Sequence, residues 1–171
     1  MNKFALALLI AVAGAVPASA GDMPARKAGL WEMKTTLSSG HVVSLQQCVD
    51  AKTDETMQAQ AASAQHDCSK RDVHRSGNTI TIDSVCMMAG KPRGAHTVVT
   101  GSFDSAYTMT VTSRSEAFPG SDMTITIDGR WLGPCAADEK PGDVIFANGR
   151  KINILEVQKS MASPGAPPLP R

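Results

Sequence analysis

"HDCSKRDVHRSGNTITIDSVCMM", residues 66–88, places two of the chain's four cysteines on either side of a turn signal. Its second half alternates apolar with polar residues, the period-two pattern of a strand with one buried face. Ser76-Gly77-Asn78 reads as a three-residue hairpin loop with Asn78 left-handed, so Arg75 faces Thr79 and the facing positions run outward in step. On that register Cys68 falls opposite Cys86 at a non-hydrogen-bonded site, where facing Cα atoms lie about 4.5 Å apart. A disulfide spans about 4.4–6.8 Å, so the hairpin predicts a Cys68–Cys86 bridge. One conflict remains in this register. Lys70, Asp72 and His74 stand opposite Ser84, Ile82 and Ile80, which requires either an edge strand or a slipped register.

The same alternation recurs on both sides. "GLWEMKTTL" (29–37), "HVVSLQQC" (41–48), "AHTVVTGSF" (95–103), "AYTMTVTSRS" (106–115) and "DMTITIDGRWL" (122–132) are strands separated by short turn-forming stretches. Strands joined this closely make an antiparallel meander. "DAKTDETMQAQAASA" (50–64) reads as a helix, with Asp50 or Thr53 as N-cap and acids in its first turn. Over 140–157, Asn148-Gly149 between two apolar runs fits a hairpin, and the length from Arg150 also fits a helix. Both readings stay open. "SPGAPPLPR" (163–171) is a Pro-rich, disordered tail.

With Cys68 and Cys86 paired, Cys48 and Cys135 remain, one ending the second strand and one just after the last long strand. They meet only if the final strand returns beside the first pair, which predicts a strongly curved sheet or a barrel. The expected fold is therefore mainly β: a curved antiparallel meander or partly closed barrel of seven to eight strands with one short helix and two disulfides.

Residues 1–20 carry one Lys, an apolar run from Phe4 to Val16, Pro17 and Ala18-Ser19-Ala20, the pattern of a cleaved secretory signal. The run is short of the about 20 residues that a spanning helix needs. Cleavage after Ala20 leaves residues 21–171, with a lead at 21–27, one β-rich domain at 28–158 and a tail at 159–171. Lys3 is the only charge removed, so the 17 basic and 16 acidic residues of the whole chain become 16 of each. A neutral chain without a basic run gives no footprint for nucleic acid or an anionic membrane.

Chemistry-bearing motifs are sparse. His41, His66, His74 and His96 lack metal-helix spacing, and neither a nucleophile elbow nor a phosphate loop occurs. No catalytic residue and no cofactor are assigned. Two constellations remain. Trp31, Met33, Ile125 and Trp131 fall on apolar-alternating faces and line the concave side of the expected sheet, a place for an apolar small molecule or an envelope-protein partner. The alternative is a copper-handling or thiol-redox site: on the hairpin register His66 faces Met88 beside Cys68 and Cys86, a donor set that suits Cu(I). In an oxidising compartment the thiols favour a disulfide.

"GLWEM" (29–33), "QQCVD" (46–50), "HDCSK" (66–70), "VCMM" (85–88) and "WLGPC" (131–135) together resemble a family of proteobacterial exported proteins of unknown function. The resemblance spans roughly residues 28–135. It implies a periplasmic address and a cysteine-bridged β-rich domain, and supplies no activity or catalytic residue.

Overall fold

The computed structural model describes residues 23–63, 67–114, 120 and 122–162. The signal-like stretch, the cut after Ala20, His66 and the Pro-rich 163–171 lie outside the described residues. In chain order come β1 (Gly29–Leu37), β2 (Val42–Val49), α1 (Ala51–Ser63), β3 (Cys68–Ser76), β4 (Thr79–Met88) and β5 (Lys91–Ser102). There follow β6 (Ala106–Arg114), β7 (Met123–Gly133), β8 (Asp143–Phe146), β9 (Lys151–Asn153) and α2 (Ile154–Ala162). All nine strands join one antiparallel sheet in the order β3-β4-β5-β6-β7-β1-β2-β8-β9.

The final long strand does return to the first pair. It does so without closing a barrel, because β1 has two edges: β2 takes one and β7 the other. The free edges are β3 and β9. Leu30 faces both Cys48 and Gly133, and the chain two residues past Gly133 supplies Cys135. The Cys48–Cys135 bond, with Cα atoms 5.6 Å apart, thus clasps the start of β1 between its two neighbours.

The Cys68–Cys86 bond forms as expected, on a register that differs from the expected one. The β3–β4 turn has two central residues, Gly77 and Asn78, so Ser76 rather than Arg75 faces Thr79. This one-residue step would carry Cys68 past Cys86. A bulge between Cys68 and Lys70 adds the missing residue and restores the pairing. The step also resolves the conflict of faces: Val73 now opposes Ile82 on the buried side, and Asp72 and His74 turn outward at a sheet edge.

Residues 140–157 hold both of the alternatives. β8 and β9 form the hairpin around Asn148-Gly149, and α2, a second helix, starts at Ile154 with the Asn153 carboxamide oxygen accepting from Leu155 N at 3.0 Å. Asp50 caps α1. Its carboxylate accepts from Thr53 N at 2.8 Å while Thr53 Oγ1 accepts from Asp50 N at 2.9 Å, a reciprocal cap. The bond from the Thr53 backbone amide, then that from its hydroxyl, lowers the Asp50 pKa below its ordinary value. A depressed carboxylate stabilises above its unfolded pKa and loses that contribution as pH falls through the folded one. Asp50→Ala should accordingly cost about 1 kcal/mol at neutral pH. In urea titrations the difference from the parent should shrink as the pH is taken below about 4.

The core lies on one face of the sheet. Trp31, Val49, Ile80, Ile82, Val99 and Tyr107 are buried there, with Met33, Met57, Val73, Phe103, Met109 and Trp131 packed against them. On this face Gly129 stands opposite Tyr107, and a Cβ built on it would lie 2.6 Å from the Tyr107 ring. The glycine is the gap into which the ring folds. Gly129→Ala should cost about 1–3 kcal/mol through overpacking, read as a lower urea midpoint at unchanged slope.

Candidate functional site

The segment 23–28, which has no periodic signal of its own, covers one end of the apolar face. Lys27 N donates to Phe103 O at 2.8 Å, and Lys27 O accepts from the Trp31 indole Nε1 at 2.8 Å. Trp131 Nε1 donates to Ala28 O at 3.1 Å, and the Lys27 ammonium sits 3.6 Å from the centre of the Trp131 ring. Between this strap and α1 lies an ion pair. Arg26 Nε donates to Asp54 Oδ1 at 2.6 Å, Arg26 N donates to Asp54 Oδ2 at 2.8 Å, and the two side chains are only 7% and 0% exposed. Arg26 Nη1 donates to Gln47 Oε1 at 2.8 Å, and its Nη2 lies 3.4 Å from Met57 Sδ. Ion pair, strap and helix are one sealed assembly.

Tyr107 completes it. Its hydroxyl points at Met33 Sδ at 3.8 Å, and burial raises its pKa above the ordinary value, which keeps the phenol neutral against the core.

The register puts Trp31, Met33, Ile125 and Trp131 on the same face of the β1–β7 pair: Trp31 faces Trp131, Met33 faces Gly129 and Leu37 faces Ile125. They divide along its length. Trp31 is fully buried beneath the strap, and Met33 and Trp131 pack into the same core. Ile125 lies six positions further along, about 20 Å away at the rise of a strand. There Leu37, Val111, Ile125 and Ile127 are half-buried and Val43 is exposed. Helix α1 meets the sheet chiefly at β2, and α2 at β9.

The donor set of the copper reading is arranged differently. The Cys68 and Cys86 sulfurs bond each other, and Met88 is exposed at the end of β4. Among the described residues no cluster of three or more His, Cys, Asp or Glu lies at metal-binding separation.

One His–carboxylate pair is formed that sequence reading did not assemble. His96 Nδ1 lies 2.7 Å from Asp83 Oδ1, and Thr112 faces His96 from β6. The row occupies the face opposite the core, and both side chains are more than half exposed. Neither of two shallow hollows lies there. One, of about 390 Å³, runs between Glu55, Thr56, Ala59 and Gln60 of α1 and Gln158 of α2. The other, of about 310 Å³, is lined by residues of β2 and β8 with Glu32. An open sheet surface gives a Thr–His–Asp row no water exclusion and no oxyanion donors.

Arg26, Asp54 and Gln47 are the polar residues that sequence reading passed over. Arg26 stands next to Lys27, and Asp54 stands among Lys52, Thr53, Glu55 and Thr56, so neither differs in local pattern from a solvated charge. Among the described residues no helix is long and apolar enough to cross a membrane.

These features define a class: an open, disulfide-clasped antiparallel sheet with one face half sealed by an N-terminal strap and a helix. The chain belongs to the family described as "Protein of unknown function (DUF3617)", whose model matches residues 26–135. The match runs from the arginine of the buried ion pair to the last cysteine. No curated protein and no solved structure matches the chain.

Proposed function

We propose that the chain is a non-enzymatic binding module, exported to the periplasm by cleavage after Ala20, that takes an apolar small molecule on the uncovered half of its core face. Export is supported by the signal pattern in residues 1–20 and by two closed disulfides. Binding rests on one observation. The apolar register pairs of β1 and β7 continue beyond the strap, through Thr35–Ile127 and Leu37–Ile125, with Val43 alongside. Trp31, Met33 and Trp131 are then the closed inner wall and Ile125 the accessible floor. Apolar floors with few polar groups are the usual lining of small-molecule sites.

Native mass spectrometry of protein purified from its own periplasm, followed by solvent extraction, tests this. The expected result is an adduct of one small apolar molecule that Ile125→Asn loses while its near-ultraviolet circular dichroism is retained. Protein that flies as the bare polypeptide and yields nothing to organic solvent overturns the reading.

A further inference from the structure

The glutamate of "GLWEM" has no part in the core. Trp31 and Met33 turn to the apolar face, so Glu32 between them turns to the opposite one. There it faces Arg130 on β7 and Gln46 on β2, and Gln46 in turn faces Ile145 on β8. One row, Arg130, Glu32, Gln46 and Ile145, thus crosses four strands. Lys34 faces Ser44 one step along the same side.

The hollow of about 310 Å³ opens over this row. Glu32, Ser44, Gln46 and Ile145 line it, and Ala147 and Gly149 of the β8–β9 turn complete the lining. Its polar groups are not tied up elsewhere. Glu32 Oε2 lies 3.4 Å from Arg130 Nη2, which leaves the second carboxylate oxygen to accept from another donor. Among the described residues neither the half-buried Gln46 carboxamide nor the Ser44 hydroxyl bonds to another group. Gln47, the next residue along and on the core face, shows the contrast, for its carboxamide accepts from Arg26.

These groups define what fits. Glu32 supplies acceptors only, Gln46 both donors and an acceptor, and Ser44 one of each kind. Facing residues of an antiparallel pair hold their Cβ atoms about 4.5–5.5 Å apart, so the flat ends of Glu32 and Gln46 stand side by side. Such a pair suits neighbouring hydroxyls. A cation at Glu32 would meet Arg130 and Lys34, and an anion would meet Glu32 itself, so the ligand is neutral. A wholly apolar molecule would strip water from three polar groups and return no hydrogen bond, whereas hydroxyls replace that water in kind.

We infer that this hollow binds one ring of a neutral sugar, with adjacent hydroxyls on Glu32 and Gln46, a third on Ser44, and the C–H face of the ring on Ile145. A few convergent polar groups beside an apolar floor are the usual make-up of such sites. Three polar groups on an open floor fit weak binding, with a Kd on the order of 1 mM. The site lies on the face opposite the apolar floor of Ile125, so the two ligand readings stand or fall separately.

The test is a titration of the mature, isotope-labelled protein with D-glucose, D-galactose and N-acetylglucosamine, each read by amide chemical shifts. With at least one of the three, saturable shifts are expected at the Gln46 side-chain amide and along 44–46 and 145–149. Affinity should fall tenfold or more in Gln46→Ala and in Glu32→Gln, fall less in Ser44→Ala, and stay unchanged in Thr126→Ala, elsewhere on the same face, and in Ile125→Asn. The four changes on this face are at partly exposed or exposed positions and should leave the thermal midpoint and both disulfides as in the parent. No saturable shift with any of the three sugars overturns the inference. So do shifts that persist in both Gln46→Ala and Glu32→Gln, or tighter binding of ethylammonium at the same residues, which would make the hollow a plain cation site.

Discussion

Asp54→Asn is expected to lower the free energy of unfolding by about 3–5 kcal/mol, the cost of removing one partner from a buried ion pair. The change keeps the shape of the side chain and leaves the Arg26 guanidinium, 7% exposed, facing an amide where a carboxylate stood. Gln47 and the Met57 sulfur remain beside it and do not replace the lost charge. The strap should loosen first, since Arg26 holds Asp54 through its backbone amide as well as its side chain. Urea unfolding gives the magnitude, and amide exchange at Lys27, whose N–H is bonded to Phe103 O, gives the location. The double change Arg26→Met with Asp54→Leu should recover much of the loss, because apolar packing of similar volume is often neutral or better at such sites. A loss that the double change deepens would mean that the polar network holds the strap by geometry.

The second large effect concerns the clasp. Replacing Cys48 and Cys135 by alanine opens a bond between residues 87 positions apart. In the chain-entropy model a closed loop of that length contributes about 4–5 kcal/mol, against about 3 kcal/mol for the 18-residue separation of Cys68 and Cys86. The Cys48–Cys135 variant should therefore melt markedly lower than the Cys68–Cys86 variant. Cys48 is also fully buried, so its truncation removes packing at the β1 start that Cys68 does not provide. Equal losses from the two variants would show that loop length is not what the bonds act through.

Much of the architecture was legible because alternation has one physical cause. "GLWEMKTTL" and "DMTITIDGRWL" alternate apolar with polar residues so that one face of each can turn to the core, and β1 and β7 follow them closely. Asp50 was legible as a cap because few residue types satisfy an orphan amide at that position. The Cys68–Cys86 pair was reached through a register in which two one-residue differences cancel: a shorter turn and a bulge. Gly77-Asn78 is itself a two-residue hairpin signal, with Gly77 at φ 59°, whereas the bulge between Cys68 and Lys70 has no residue signal of its own. The open sheet was less legible. A strand returning to the first pair suggests closure until one sees that β1 is interior and offers a second edge.

The site was legible in face and not in extent. Trp31, Met33, Ile125 and Trp131 do share a face, as alternation requires. How far that face is covered depends on the strap at 23–28, which has no periodicity and is held by tertiary bonds alone. For the same reason Arg26 and Asp54 gave no signal: their partner is 28 residues away in sequence.

All four cysteines are bonded, in two bridges that clasp β1 and tie the edge strand β3 to β4. Peptide mapping of alkylated, unreduced protein isolated from its native cells, with metal content read on the same sample, tests a structural role for both bridges most directly. The expected result is fully linked Cys48–Cys135 and Cys68–Cys86 peptides, no alkylated thiol and no copper. Alkylated Cys68 and Cys86, or copper retained with the protein, would contradict it and make "HDC" and "VCMM" the functional site.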